Sequence, residues 1–151
     1  MNLLCKKIVI FKKLKINNVL LNNRVAVGPM CQYSAINGRA SSWHFSHLQK
    51  LSQLGAGMLI LESTFPSKNA KISRNDLVLS NNLEKKSFID LIKYIRKFSD
   101  IPLGIQICHA GKKGSSHIPW KKFNSPLSKK EGGWITYAPS SIKRDKSWPI
   151  P

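Results

Sequence analysis

An α/β fold organised around a parallel sheet is what this sequence predicts, and three observations carry that prediction. Three short, largely apolar runs, 24–27, 58–61 and 103–107, each end at polar or turn-forming residues. Two stretches with helical spacing, Phe45–Leu54 and Leu83–Phe98, alternate with them. Ahead of both, Leu14–Ile16 and Val19–Leu21 flank Asn17–Asn18, and an Asn pair between two short apolar runs predicts a tight hairpin over 14–21. Strands without polar alternation, separated by helices, suit a sheet covered on both faces, as parallel sheets require.

Each element has its own justification. Arg24–Val27 stops at Gly28–Pro29, which ends a buried strand. The next helix has Leu48, Leu51 and Leu54 as apolar positions, Ser41 or Ser42 as a cap, and Gly55 and Gly57 as a stop. Met58–Leu61 reads as a strand buried on both faces, followed by a loop from Ser63 to Ser80. In the longest helix Phe88, Leu91, Ile92 and Ile95 share one face, and lysines occupy much of the other. Asp100–Ile101–Pro102 breaks it, and Leu103–Ile107 reads as another buried strand. A long Gly-, Pro- and Ser-rich loop then runs over 109–151.

Composition excludes some classes and leaves others open. With 151 residues and 42% hydrophobic content, the chain can build one core and is not compositionally disordered. No apolar run approaches the roughly 20 residues of a membrane span. Lys6, Lys7, Lys12, Lys13 and Lys15 interrupt the apolar N-terminal stretch, so no targeting signal is expected there and a cytoplasmic location is. Cys5, Cys31 and Cys108 lie far apart, with no zinc spacing, as in a reducing compartment. The formal charge of +18 is spread along the chain in lysine pairs without a recognition motif, so it reads as solvated faces and nucleic acid is not an expected partner. A P-loop or GxGxxG sequence is absent, which disfavours an ordinary phosphate-binding α/β domain.

Parallel α/β sheets gather ligands at the carboxyl ends of their strands. The three strand ends here carry Gly28-Pro29-Met30-Cys31-Gln32-Tyr33-Ser34, then Glu62-Ser63-Thr64-Phe65-Pro66, then Gln106-Ile107-Cys108-His109-Ala110-Gly111. Polar and redox-capable groups therefore concentrate at all three. Gln106 stands out, because a carboxamide inside LGIQI costs desolvation unless it is paired. His44 and His47 sit three apart near a helix start, without the carboxylate set of a metal site, so they read as structural.

These same segments carry a family resemblance. NRVAVGPMCQYS from Asn23 to Ser34, the MLILES strand and GIQICHAGKKGS resemble, in order and spacing, successive motifs of the old yellow enzyme family of NADH:flavin oxidoreductases. Pro119–Trp120, Gly132–Trp134 and Ala138–Ile142 continue it, so the resemblance covers roughly residues 14 to 145. Cysteine at Cys31 is similar to the thermophilic-like branch. The resemblance implies the N-terminal part of an FMN-binding (β/α)8 barrel, an incomplete TIM barrel with a hairpin, about three βα units and a long third loop. It also implies an ene-reductase in which NADPH or NADH reduces FMN and hydride passes to an α,β-unsaturated substrate.

Site residues follow from the same resemblance. Pro29, Met30 and Cys31 would line the flavin, and Cys31 would modulate its potential. Tyr33 would hydrogen-bond the substrate; a phenol offers an apolar ring with a polar tip. Ser63 would contact FMN, and Gln106 would hold the pyrimidine edge, where a carboxamide can donate and accept. His109 reads as structural. Lys112 stands where the family usually has Arg; lacking the planar fork, it receives no flavin role.

A full barrel takes about 250 residues. Three strands would leave an open edge, so the chain by itself is expected to be poorly stable, to aggregate, or to need a partner, either a missing C-terminal half or another copy. It is not expected to reduce alkenes alone. The alternative is a non-catalytic basic binding module derived from a truncated barrel.

Overall fold

The computed structural model describes residues 8–151. Cys5, Lys6 and Lys7, which entered the charge and thiol arguments above, lie outside the described residues. After a 3-10 turn at Val9–Phe11, strands β1 (Leu14–Ile16) and β2 (Val19–Leu21) form the expected antiparallel hairpin. Asn17 takes a φ of 50° in its turn, a conformation that Asn tolerates.

A four-stranded sheet follows. Strand β3 (Ala26–Val27) pairs parallel with one edge of β4 (Met58–Phe65), and β6 (Leu103–Ile107) pairs parallel with the other. Strand β5 (Leu77–Val78) extends the first edge at Thr64–Phe65. Helices α1 (Ser42–Ser52) and α2 (Asn82–Ile95) connect the strands. Leu48 of α1 and Phe88, Leu91 and Ile95 of α2 bury Leu59, Leu61 and Leu77 of the sheet. At Gly57 the chain passes close to β3's approach: an added Cβ would lie 2.2 Å from the Asn23 carbonyl oxygen, so only glycine fits.

Boundaries shift where capping decides them. Helix α1 starts at Ser42 rather than Phe45, because Ser41 occupies the cap position and its backbone N–H donates to His44 Nδ1 at 3.0 Å. Helix α2 starts at Asn82 with Asn81 capping the amides of Leu83 and Glu84, and ends at Ile95 rather than Phe98. The first strand is shorter than 24–27, and β4 runs past 58–61 to Phe65. Part of the expected loop 63–80 is therefore strand, and it also contains β5.

The expectation of three fully buried strands needs correction. Ala26 is exposed, Met58 and Ile60 are half-buried, and β6 is open from Ile105 onward. Ile105 and Ile107 are 39% and 61% exposed. Ile105 stands opposite Leu61, on the face that α1 and α2 cover elsewhere, and among the described residues only a 3-10 turn at Gly111–Lys113, and no α-helix, follows β6.

Candidate functional site

One irregularity in β4 assembles the site. Leu61 pairs with Ile105, but the next pair is Ser63 with Gln106, so Glu62 is an extra residue on β4. Side chains normally alternate, which would point Ser63 the same way as Leu61, into the helix-covered core. The bulge reverses this. Ser63 instead shares a face with Gln106, and its hydroxyl donates to the Gln106 carboxamide oxygen. Glu62 turns toward α1, where its Oε1 lies 2.9 Å from His44 Nε2.

The loop after β3 folds over this point. Burial pushes the Cys31 thiol's pKa up, while nearby Ser63 pulls it back. Cys31, Tyr33, Cys108 and Ala110 pack against Phe65, Ala70 and Ile72. The structure thus brings Cys31, Ser63 and Gln106 together, with Tyr33 beside them. Met30 is 53% exposed at the loop surface, and Pro29 is half-buried next to it. Gln106 is exposed at the open edge.

Tyr33 has a φ of 49°, and its ring meets Trp120 edge-on at 5.7 Å. Burial raises the pKa of its phenol. It lines a cavity of about 170 Å³ with Ile72, His117, Pro119, Phe123 and Asn124. This cavity gives the long third loop a part in the site through Pro119, already part of a resembling motif, and through His117, Phe123 and Asn124, which no motif marks.

The histidines sort clearly. His44 is 1% exposed and held between Ser41 and Glu62. His47 stacks on Trp43 at 5.8 Å. His109 Nδ1 accepts from the Gly111 amide at 3.0 Å, a turn contact. Among the described residues no cluster of three or more His, Cys, Asp or Glu could hold a metal, and no helix is long and apolar enough to cross a membrane.

Three buried carboxylates, Glu62, Asp76 and Glu84, have no role in the sequence reading; Glu84 accepts from the Ser80 amide and hydroxyl at 2.7 and 2.8 Å. The sequence places Glu62 among the polar residues at the end of the second strand, with no role of its own. The desolvation expected of Gln106 is not borne by that residue, which is exposed at the open edge; it falls on Glu62, whose buried carboxylate demands a partner. Asp76 is 1% exposed and accepts from the Ser73 amide at 2.6 Å and the Ser73 hydroxyl at 3.1 Å. Burial raises its pKa from 3.8 to about 6, against those hydrogen bonds.

The NADH:flavin oxidoreductase / NADH oxidase family matches residues 9–133. A NADH:flavin oxidoreductase of Gibberella zeae is 34% identical over 141 residues, which is 90% of this chain and 33% of that protein. A NADPH dehydrogenase of Listeria monocytogenes is 35% identical over 106 residues, 69% of this chain and 31% of its own length. Among solved structures, morphinone reductase in complex with tetrahydroNAD superposes with a TM-score of 0.73 at 16% identity, covering 93% of this chain and 35% of that one. The old yellow enzyme from Trypanosoma cruzi gives 0.68 at 19% identity, covering 89% and 35%. Those structures share the fold, and the chain spans about a third of the length of the relatives it matches. With most of its length inside the family match and the β3, β4 and β6 tips converging as described, this chain belongs to the NADH:flavin oxidoreductase / NADH oxidase family.

Proposed function

We propose that this chain supplies the opening part of an FMN site in an NAD(P)H-dependent ene-reductase of the thermophilic-like branch. The observation that carries this reading is the meeting of Cys31, Ser63 and Gln106 at the carboxyl ends of adjacent parallel strands. The available donors suit a flavin edge. Ser63 occupies the Gln106 carbonyl oxygen, and among the described residues the Gln106 amide nitrogen and the backbone N–H groups of Met30 and Cys31 make no hydrogen bonds. When bound, FMN would take hydride from NADPH or NADH and deliver it to an α,β-unsaturated substrate.

This chain's residues would do the binding and orienting. Pro29 and Met30 would line the ring, Gln106 would hold its pyrimidine edge, and Cys31 would tune its potential. Tyr33, whose hydroxyl has no partner among the described residues, would donate to the substrate. The phosphate grip has no candidate residue here. A C-terminal half would supply it, and that half or another copy would cover the exposed Ile105 and Ile107.

The test is an FMN titration of the full chain, alone and mixed with the C-terminal two thirds of a relative such as the Listeria NADPH dehydrogenase. The expected result is quenching of flavin fluorescence, followed in the mixture by NADPH-dependent bleaching that an α,β-unsaturated ketone reverses. No flavin binding in either arrangement would sink the reading. Salt-sensitive nucleic-acid binding without flavin would favour the alternative of a non-catalytic basic module.

A further inference from the structure

Glu62 and His44 do more than join α1 to β4. Glu62 is 5% exposed, and its two oxygens are divided between two elements. Oε1 meets His44 Nε2 at 2.9 Å, and Oε2 accepts the Gln32 backbone N–H at 2.8 Å. His44 Nδ1 accepts from the Ser41 amide, which leaves the proton on Nε2; that nitrogen approaches the carboxylate to 2.9 Å but makes no aligned hydrogen bond, so the contact is a close polar approach. The Gln32 side chain makes a second connection. Its Nε2 donates to the Met30 carbonyl at 2.8 Å, and its Oε1 accepts from Trp43 Nε1 at 3.0 Å. Cys31 lies between the two anchored residues, and its thiol lies near Ser63, the neighbour of Glu62.

We propose that His44, Glu62 and Trp43 form a clamp that holds the Met30–Gln32 segment and thereby sets the position of the Cys31 thiol. These are positioning residues, acting through Gln32. The start of α1 contributes both arms: Trp43 holds the loop from the surface, and His44 fixes the carboxylate from within the fold. The clamp's consequence for a flavin rests on the function proposed above; its existence does not.

The test uses the full chain without flavin and reads the alkylation rate of each thiol with iodoacetamide by peptide mass spectrometry. Cys31 and Cys108 are both half-buried free thiols on the same cluster, so Cys108 is an internal reference. General loosening accelerates both thiols, whereas loss of the clamp accelerates Cys31 alone. Trp43 is 52% exposed, so Trp43→Phe removes one hydrogen bond without touching the core or any charge. Its expected effect is a rise of about fivefold in the Cys31 to Cys108 rate ratio. Glu62→Gln loses a charge-assisted bond and is expected to raise that ratio more than about tenfold.

If Glu62→Gln unfolds, with both thiols at their rates in urea, Trp43→Phe decides alone. A ratio unchanged in Trp43→Phe would overturn the proposal. So would both thiols moving together in every folded variant, or a wild-type Cys31 as reactive as in urea. A failed FMN titration would leave these outcomes readable, which separates the clamp from the flavin reading.

Discussion

Asp76 makes folding of this chain sensitive to pH in an unusual direction for a carboxylate. Folded, it holds its proton up to about pH 6, whereas in the unfolded chain it releases it near 3.8. Between those values unfolding releases a proton, so rising pH favours the unfolded state. The stability linked to this proton is fully present below about pH 4 and is lost as pH rises through about 6. At about 1.4 kcal/mol per pKa unit, the whole effect is about 3 kcal/mol. Of this, about 2 kcal/mol falls between about pH 4 and about pH 7.5. Asp76→Asn removes the titration yet keeps an oxygen to accept the Ser73 amide, and the Ser73 hydroxyl can turn to accept from the new amide. Urea unfolding followed by tryptophan fluorescence, at both pH values, measures the difference. The wild type should lose about 2 kcal/mol more than Asp76→Asn across that interval. Equal losses would show that the Asp76 carboxyl is ionised in the fold and that its hydrogen bonds outweigh its burial.

Other consequences are simpler. Leu91 is fully buried between α2 and the sheet, so Leu91→Ala should cost about 2–5 kcal/mol in urea unfolding, a large share of a small domain's stability. Asn81→Ala removes the acceptor for two α2 amides at 3.0 Å each and should cost about 1 kcal/mol by the same measurement. Ile107→Lys alters a side chain that is 61% exposed on the open edge. It should change stability by less than about 0.5 kcal/mol while lowering self-association in light scattering, since charge on an open edge discourages pairing.

The strand and helix order was legible because periodicity and turn residues are local properties. Asn17–Asn18, Gly28–Pro29 and Asp100–Ile101–Pro102 mark real boundaries, and the predicted site residues do gather at strand ends. Burial was less legible, because it depends on what else packs against a strand. LGIQI reads as an interior strand, yet Ile105 and Ile107 are exposed where no described helix covers them. Strand β5 was missed because two residues carry no periodicity. The contact between Tyr33 and Trp120 was missed for a different reason: it joins loops 87 residues apart in a stretch without pattern.

The bulge at Glu62 shows most plainly why spacing alone could not yield the site. Strict alternation along MLILESTF would place Leu59, Leu61, Ser63 and Phe65 on one face, driving the Ser63 hydroxyl into the hydrocarbon between α1 and α2. Because Glu62 is absorbed as an extra residue, Ser63 and Phe65 lie on the opposite face, where Cys31 packs, while Leu59 and Leu61 stay in the helix-covered core. The bulge also directs a carboxylate at α1, where His44 is ready to meet it. Core packing and the Ser63–Gln106 pair therefore depend on the bulge absorbing Glu62, and the grip on Gln32 depends on its carboxylate. Deleting Glu62 would close the bulge yet leave Ser63 opposite Gln106 and Phe65 on the Cys31 face, so the deletion, like Glu62→Gln, strikes only the grip.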